Sequence, residues 1–121
     1  MNERLTESKS IYLQISEMIE TDILREILLE EEQVPSTNEL ARRYTINPAT
    51  AAKGINLLVD EGILYKKRGI GMFVAAGARE KILSKRRRAF LETELSRLLE
   101  EAGRLGITKE ELIDMIREKA Q

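Results

Sequence analysis

Among its 121 residues the chain has no cysteine and no histidine. Without cysteine there is no disulfide, no thiol nucleophile and no thiolate metal site. Without histidine the commonest general base and transition-metal ligand is missing, and the remaining serine, lysine and carboxylate residues form no catalytic constellation. Neither an enzyme nor a metal or other cofactor is expected. Aromatic residues are only 4% of the chain against 42% hydrophobic residues, which suits a helical protein with a Leu/Ile core. No stretch approaches the ~18 apolar residues of a membrane span, and no basic-then-apolar segment opens the chain. A cytoplasmic protein with no membrane partner is the expectation.

Net charge is also nearly lacking, at −1, but its distribution is uneven. Residues 1–34 carry three Lys/Arg and nine Asp/Glu, residues 35–77 six and three, and residues 78–121 eleven and nine. Local field matters more to a polyanion than the total.

The positive middle contains two helix starts. Ser36 with Glu39 reads as a capping box, the serine oxygen taking an orphan amide and the glutamate reaching back to the cap. Asn47 is a second N-cap, with Pro48 at the first helical position, where a missing N–H costs nothing. Only Thr45 and Ile46 separate Tyr44 from that cap, the spacing of a helix-turn-helix. In the second helix Ala51, Ile55, Leu58, Val59 and Gly62 form a buried stripe, opposite Ala49, Lys53, Asn56 and Asp60. Its first turn is small and polar, which lets backbone approach a groove floor. Leu64–Lys67 and Met72–Ala75 then read as strands joined by Arg68-Gly69-Ile70-Gly71. A basic hairpin in that place is a wing.

Pro35-Ser36, Glu39-Leu40-Ala41, Asn47-Pro48 with Thr50, the Leu58…Glu61-Gly62-Ile63 stretch and Arg68-Gly69-x-Gly71-x-Phe73-Val74 resemble the GntR-type winged helix. Ser10-Ile11-Tyr12-Leu13-Gln14-Ile15 is similar to the start of that family's first helix. The likeness covers about residues 9 to 75 and is greatest to the YtrA-type subgroup of bacterial repressors. It implies a mainly α fold with a small β-hairpin wing, a winged helix-turn-helix DNA-binding domain over residues 9–76 and a two-helix dimerisation tail over 77–121. It further implies a homodimeric repressor of a transporter operon. The residues expected at double-stranded DNA are Ser36, Thr37, Asn38, Arg43, Asn47, Pro48, Ala49, Thr50, Lys53, Lys67, Arg68, Gly69 and Gly71. Relatives commonly have arginine where this chain has Asn38, Pro48 and Ala52, so the bidentate arginine–guanine grip is missing there.

In chain order, residues 1–9 are polar and expected to be loose. Ser10 is expected to cap a helix to about Glu26 with Ile11, Ile15, Met18, Ile19 and Ile23 inward and Tyr12 on a flank. Ile27-Leu28-Leu29 reads as a short strand beside the wing. Glu30-Glu31-Glu32 lacks the spacing of a calcium loop and reads as a solvated turn, where relatives usually have Pro-Gly. Leu40, Ala41, Tyr44, Ile46, Ile55, Leu58, Val59, Ile63 and Leu64 should complete the core. Arg42 and Arg43 suit a helix C-terminus.

After Gly77, residues 78 to about 105 read as one long helix, with Leu91, Leu95, Leu98, Ala102 and Leu105 forming a heptad-like seam for dimerisation. Thr108 with Glu111 is another capping box, opening a last helix to about Lys119. Lys85-Arg86-Arg87-Arg88 turns by about 100° per residue on a helix and so forms no single stripe. A solvated segment is favoured there over a DNA-backbone contact. The tail has too few residues to bury its apolar side chains by itself. It must fold onto the winged helix or onto a second chain, the latter being favoured, and it is too small to enclose a ligand pocket of ~300–1,000 Å³ easily. An effector is left undefined. A winged helix serving protein contacts or DNA architecture is the alternative function.

Overall fold

A computed structural model describes residues 4–6 and 9–120. Its elements are α1 (Ile11–Leu24), α2 (Thr37–Tyr44), α3 (Pro48–Asp60), β1 (Leu64–Lys67), β2 (Gly71–Val74), α4 (Ala78–Ala89), a π-helical segment (Phe90–Leu95), α5 (Ser96–Arg104) and α6 (Lys109–Lys119). The chain divides into two compact units, residues 1–83 and 84–121.

The first unit is a winged helix-turn-helix. Ile15, Met18, Ile19 and Ile23 of α1 pack with Leu40 of α2, Ala51, Ile55 and Leu58 of α3, and Ile63, Leu64 and Val74 around the hairpin. Tyr44, Ile46 and Val59 are partly buried at the edge of that core. Ala78 and Ile82 are fully buried in it too. The unit therefore takes in the first turns of α4 and runs past Ala76, the end expected from the sequence. α2 ends at Thr45, whose left-handed φ of 53° turns the chain so that its N–H still bonds Ala41 and Arg42 carbonyls. That tight exit sets α3 three residues later.

β1 and β2 pair antiparallel, Leu64 opposite Val74, Tyr65 opposite Phe73, Lys66 opposite Met72 and Lys67 opposite Gly71. Gly69, at φ +77°, permits the turn. The other edge of β2 is covered by the segment before α2. Glu31 N–H donates to Val74 O at 2.8 Å, Val74 N–H to Glu32 O at 3.0 Å and Val34 N–H to Met72 O at 3.0 Å. The strand-like pairing expected at Ile27–Leu29 thus falls at residues 31–34. Ile27 and Leu28 instead donate their N–H groups to Asp22 O and wrap the end of α1.

Other local expectations also change. α1 ends at Leu24, and Ser10, though at its N-cap, makes no side-chain capping bond. The stretch before α1, expected to be loose, is tied down where it is described. The Gln14 amide exchanges two 2.7 Å bonds with the Thr6 backbone, and Lys9 pairs with Glu17 at 2.9 Å. Residues 1–3, 7 and 8 of that stretch lie outside the described residues.

In the second unit the expected single helix is interrupted. The chain stays helical from α4 to α5, but Phe90–Leu95 is π-helical. The Ser96 hydroxyl donates to Leu91 O, five residues back, at 3.5 Å. A π turn widens the hydrogen-bond ladder by a residue. Leu91 and Leu95 lie inside this turn and do not keep straight α-helical spacing with Leu98, Ala102 and Leu105. Of these five, Ala102 is buried, Leu95 half-buried, and Leu91, Leu98 and Leu105 are exposed. α5 closes at Gly106 (φ +72°), with Ile107 N–H donating to Ala102 O. Thr108 and Glu111 form the reciprocal capping box at α6.

Candidate nucleic-acid interface

Three local structures of the first unit carry the residues expected at DNA. At the start of α2, Ser36 Oγ accepts from Glu39 N at 3.1 Å and Glu39 Oε1 accepts from Ser36 N at 3.2 Å. Thr37 is half-buried and Asn38 exposed in that first turn, and Arg43 is exposed in the last. At the start of α3, Asn47 Oδ1 accepts from Ala49 N at 2.8 Å. Pro48 and Ala49 are exposed and Thr50 half-buried, so the first turn is open and small. Because α3 buries Ala51, Ile55 and Leu58, its opposite face of Ala49, Lys53, Asn56 and Asp60 is exposed. A helix N-terminus also presents partial positive charge from its unpaired amides.

Lys53 and Ala49 line one surface depression of about 520 Å³ together with Asn56, Asp60 and Tyr12. The Lys53 ammonium sits 4.0 Å from the centroid of the Tyr12 ring. That contact across elements had only a weak signal in the sequence, an aromatic on the flank of α1. Another missed feature is Gly54. It is buried, and a Cβ there would lie 2.7 Å from Tyr12 O. The Ser16 hydroxyl donates to Gly54 O at 2.6 Å. A glycine inside an otherwise helical pattern was the available cue for this close approach.

The wing is the third structure. Lys66, Arg68 and Gly69 are exposed. Lys67 is exposed too, but its ammonium folds back over Phe73, 4.3 Å from the ring centroid, with Tyr65 at 5.9 Å. Gln33 braces the tip, its amide donating to Ile70 O at 3.0 Å, and Gly71 leaves room for that amide.

The three glutamates expected as a solvated turn are exposed but bonded around the wing. Glu30 accepts from Gly77 N at 2.8 Å and Glu32 from Leu29 N at 2.7 Å. Glu31 accepts a short hydrogen bond from the Tyr65 hydroxyl. That bond, then burial, then the glutamate's negative charge raise the Tyr65 pKa. Among the described residues no cluster of acidic side chains is placed to hold a metal ion. In the basic run, Lys85 and Arg86 are half-buried and Arg87 and Arg88 exposed. Among the described residues no helix is long and apolar enough to cross a membrane.

Residues 11–74 match the family of bacterial regulatory proteins named gntR. The chain is 33% identical over 119 residues to the HTH-type transcriptional regulator YhcF of Bacillus subtilis, covering 97% of this chain and 95% of that protein. It is 29% identical to the HTH-type transcriptional repressor YtrA of Bacillus subtilis, over 92% of this chain and 85% of that protein. Among solved structures it superposes on the DNA-binding domain of AraR in complex with operator ORX1. The TM-score is 0.53 at 33% identity, covering 62% of this chain and 92% of that one.

Proposed function

The chain belongs to the GntR family of bacterial regulatory proteins and is a DNA-binding transcriptional regulator, not an enzyme, and on that basis we propose that it is a cytoplasmic repressor acting as a homodimer on an inverted-repeat operator. The observation that carries the reading is the open first turn of α3, with Lys53 the one lysine or arginine of that helix and exposed on its free face. Ser36, Thr37, Asn38 and the Asn47–Thr50 turn approach the groove and backbone, and Arg43 takes a phosphate. Asn38 suits adenine, Ala49 offers a methyl to thymine, and Lys53 reads guanine. Arg68 at the wing tip, between Lys67 and Gly69–Gly71, suits a narrow minor groove. With arginine missing from three positions where relatives have it, the operator is A·T-rich and specificity modest.

The tail supplies the second copy. Leu91, Leu98 and Leu105 are 59%, 44% and 65% exposed, and a second tail offers the matching apolar surface, with half-buried Leu95 beside it; Ala102, expected in the same seam, is already buried within its own chain. Two heads held this way read half-sites about one helical turn apart. The family resemblance suggests a transporter operon near the gene as target.

A gel shift and footprint on the DNA upstream of the gene test the reading. If about four phosphates are neutralised per protomer, log affinity falls against log salt with a slope of roughly −7 for the dimer. No shift on that DNA, or a slope near zero, would mean that this face does not bind it.

A further inference from the structure

We propose that Tyr12 is a positioning residue for DNA reading, its ring holding the Lys53 ammonium at the exposed face of α3. This rests on the proposed role of Lys53 at DNA. A lysine has a long flexible stem, and fixing it on binding costs side-chain entropy. Part of that ordering is already done here. The ammonium lies 4.0 Å from the Tyr12 centroid, inside the ~6 Å over which a cation is drawn to the negative face of a ring.

The pair joins two different helices, so it is only as fixed as the spacing between them. That spacing is set at the neighbouring residue. Gly54 brings α3 so close to α1 that a Cβ would meet Tyr12 O at 2.7 Å. One turn further along α1, Ser16 donates to Gly54 O at 2.6 Å. Residues four apart lie on one helix face, so Tyr12 and Ser16 together address Lys53 and Gly54. A backbone approach and a buried hydrogen bond thereby hold the ring beneath the lysine. Tyr12 and Lys53 also border the same depression as Ala49 and Asn56, so the tethered ammonium lies along the exposed face of α3.

The full chain is used for the test. In NMR spectra the Lys53 ε-methylene protons should be shifted upfield by the ring in the unmodified protein and in Tyr12→Phe, but not in Tyr12→Leu. Affinity is then measured for the best duplex selected from a randomised library, with Tyr12→Leu made in the presence of Lys53 and in the Lys53→Ala background. We expect a loss of about two- to five-fold with Lys53 present, the worth of an exposed cation–π contact, and no further loss in the Lys53→Ala background. Tyr12→Phe should bind like the unmodified protein. Should Tyr12→Leu not fold, phenylalanines of increasing fluorination at position 12 give the same comparison, since they fade the ring's negative face at nearly constant shape. An equal loss in both backgrounds, or unshifted methylene protons in the unmodified protein, overturns the proposal. The base-reading role of Lys53 fails separately: it falls if Lys53→Ala weakens selected and random duplexes equally, while the two-background comparison still decides what Tyr12 does.

Discussion

The winged unit and the tail are built by the same local devices and end in opposite states. Both open a helix with a reciprocal capping box, Ser36 with Glu39 at α2 and Thr108 with Glu111 at α6. In the winged unit the capped helix then buries Leu40 and Ala41, whereas α6 buries none of its residues. The first unit closes its core over Ile15, Ile19, Leu58 and Ile82. In residues 84–120 Ala102 is the buried hydrophobic, while Phe90, Leu91, Leu98, Leu99, Leu105 and Ile113 stand exposed. A cap specifies where a helix starts but supplies about 0.5–2 kcal/mol; apolar burial supplies the larger share, at roughly 1.5–3 kcal/mol per large side chain. One half of the chain has that burial in itself, and we infer that the other obtains it from a second copy.

The largest effect should come from breaking the tail. Leu95→Asp with Leu98→Asp puts charge into the proposed seam, and light scattering should then show monomers. With the two heads uncoupled, operator affinity should fall by about a hundred- to ten-thousand-fold, the usual gain from linking two binding sites. The winged unit should keep its melting behaviour. A stable monomer in the unmodified protein would remove the basis for the contrast between the units.

Breaking the reading face should leave dimerisation alone. Lys53→Ala should cost ~1–3 kcal/mol of binding and relax preference at one position per half-site. Arg68→Ala should weaken all sites more evenly. Selection from a randomised duplex library separates the two patterns. An even loss for Lys53→Ala would make it a phosphate contact.

Legibility in the sequence divides along similar lines. Most features fixed by neighbours in the chain were legible: the two caps at Ser36 and Asn47, the three-residue link to α3, the hairpin and the box at Thr108; the expected Ser10 cap was not, since it makes no side-chain bond. Features fixed by distant contacts were not. The pairing with β2 sits at residues 31–34 and not at Ile27–Leu29, because it is the bonds of Glu31, Glu32 and Val34 to Met72 and Val74, about 40 residues on, that place it. Ala78 and Ile82 are in the winged core, yet nothing in their local spacing distinguishes them from the helix that continues to Ala89. The π segment is invisible to a heptad count, since it changes the number of residues per turn without changing the residues. For the site, the open turn of α3 was legible. The folding of Lys53 onto Tyr12 and of Lys67 onto Phe73 was not, because each pairs residues from different elements.

Gly54 tests how tightly the winged unit is closed. Gly54→Ala gains about 1 kcal/mol of helix propensity, but its Cβ would meet a backbone oxygen at 2.7 Å. Overpacking of this kind costs about 1–3 kcal/mol, and a backbone atom gives way less readily than a side-chain end. Net destabilisation of the winged unit is expected in denaturant titration, with the helical signals of α6 unchanged. A stabilised protein would mean that α1 and α3 can separate freely at this point.

The smallest effect sharpens the comparison most, because it sets one capping box against the other. Thr108→Ala and Ser36→Ala each remove a cap worth about 0.5–2 kcal/mol. α2 has buried side chains to hold it when its cap is lost; α6, at 11 residues, is shorter than the ~12–15 residues at which isolated helices become marginal. Thr108→Ala should therefore lower the Cα helical shifts through α6, whereas Ser36→Ala should leave α2 folded and only lower global stability. Protonation probes the same box from the other side. The bond from the Thr108 backbone N–H, then that from its side chain, lowers the pKa of Glu111, against a small opposing effect of burial. A carboxylate whose folded pKa is depressed contributes stability above its unfolded pKa and loses it as pH falls through the folded value. The helical shifts of α6 should accordingly hold at neutral pH and decline in acid. The Glu111 side-chain titration itself should be centred below the ordinary glutamate range. Glu111→Gln should remove that step, leaving any remaining acid response to the other carboxylates. A Glu111 midpoint at or above the ordinary range would show that the box is not closed in solution.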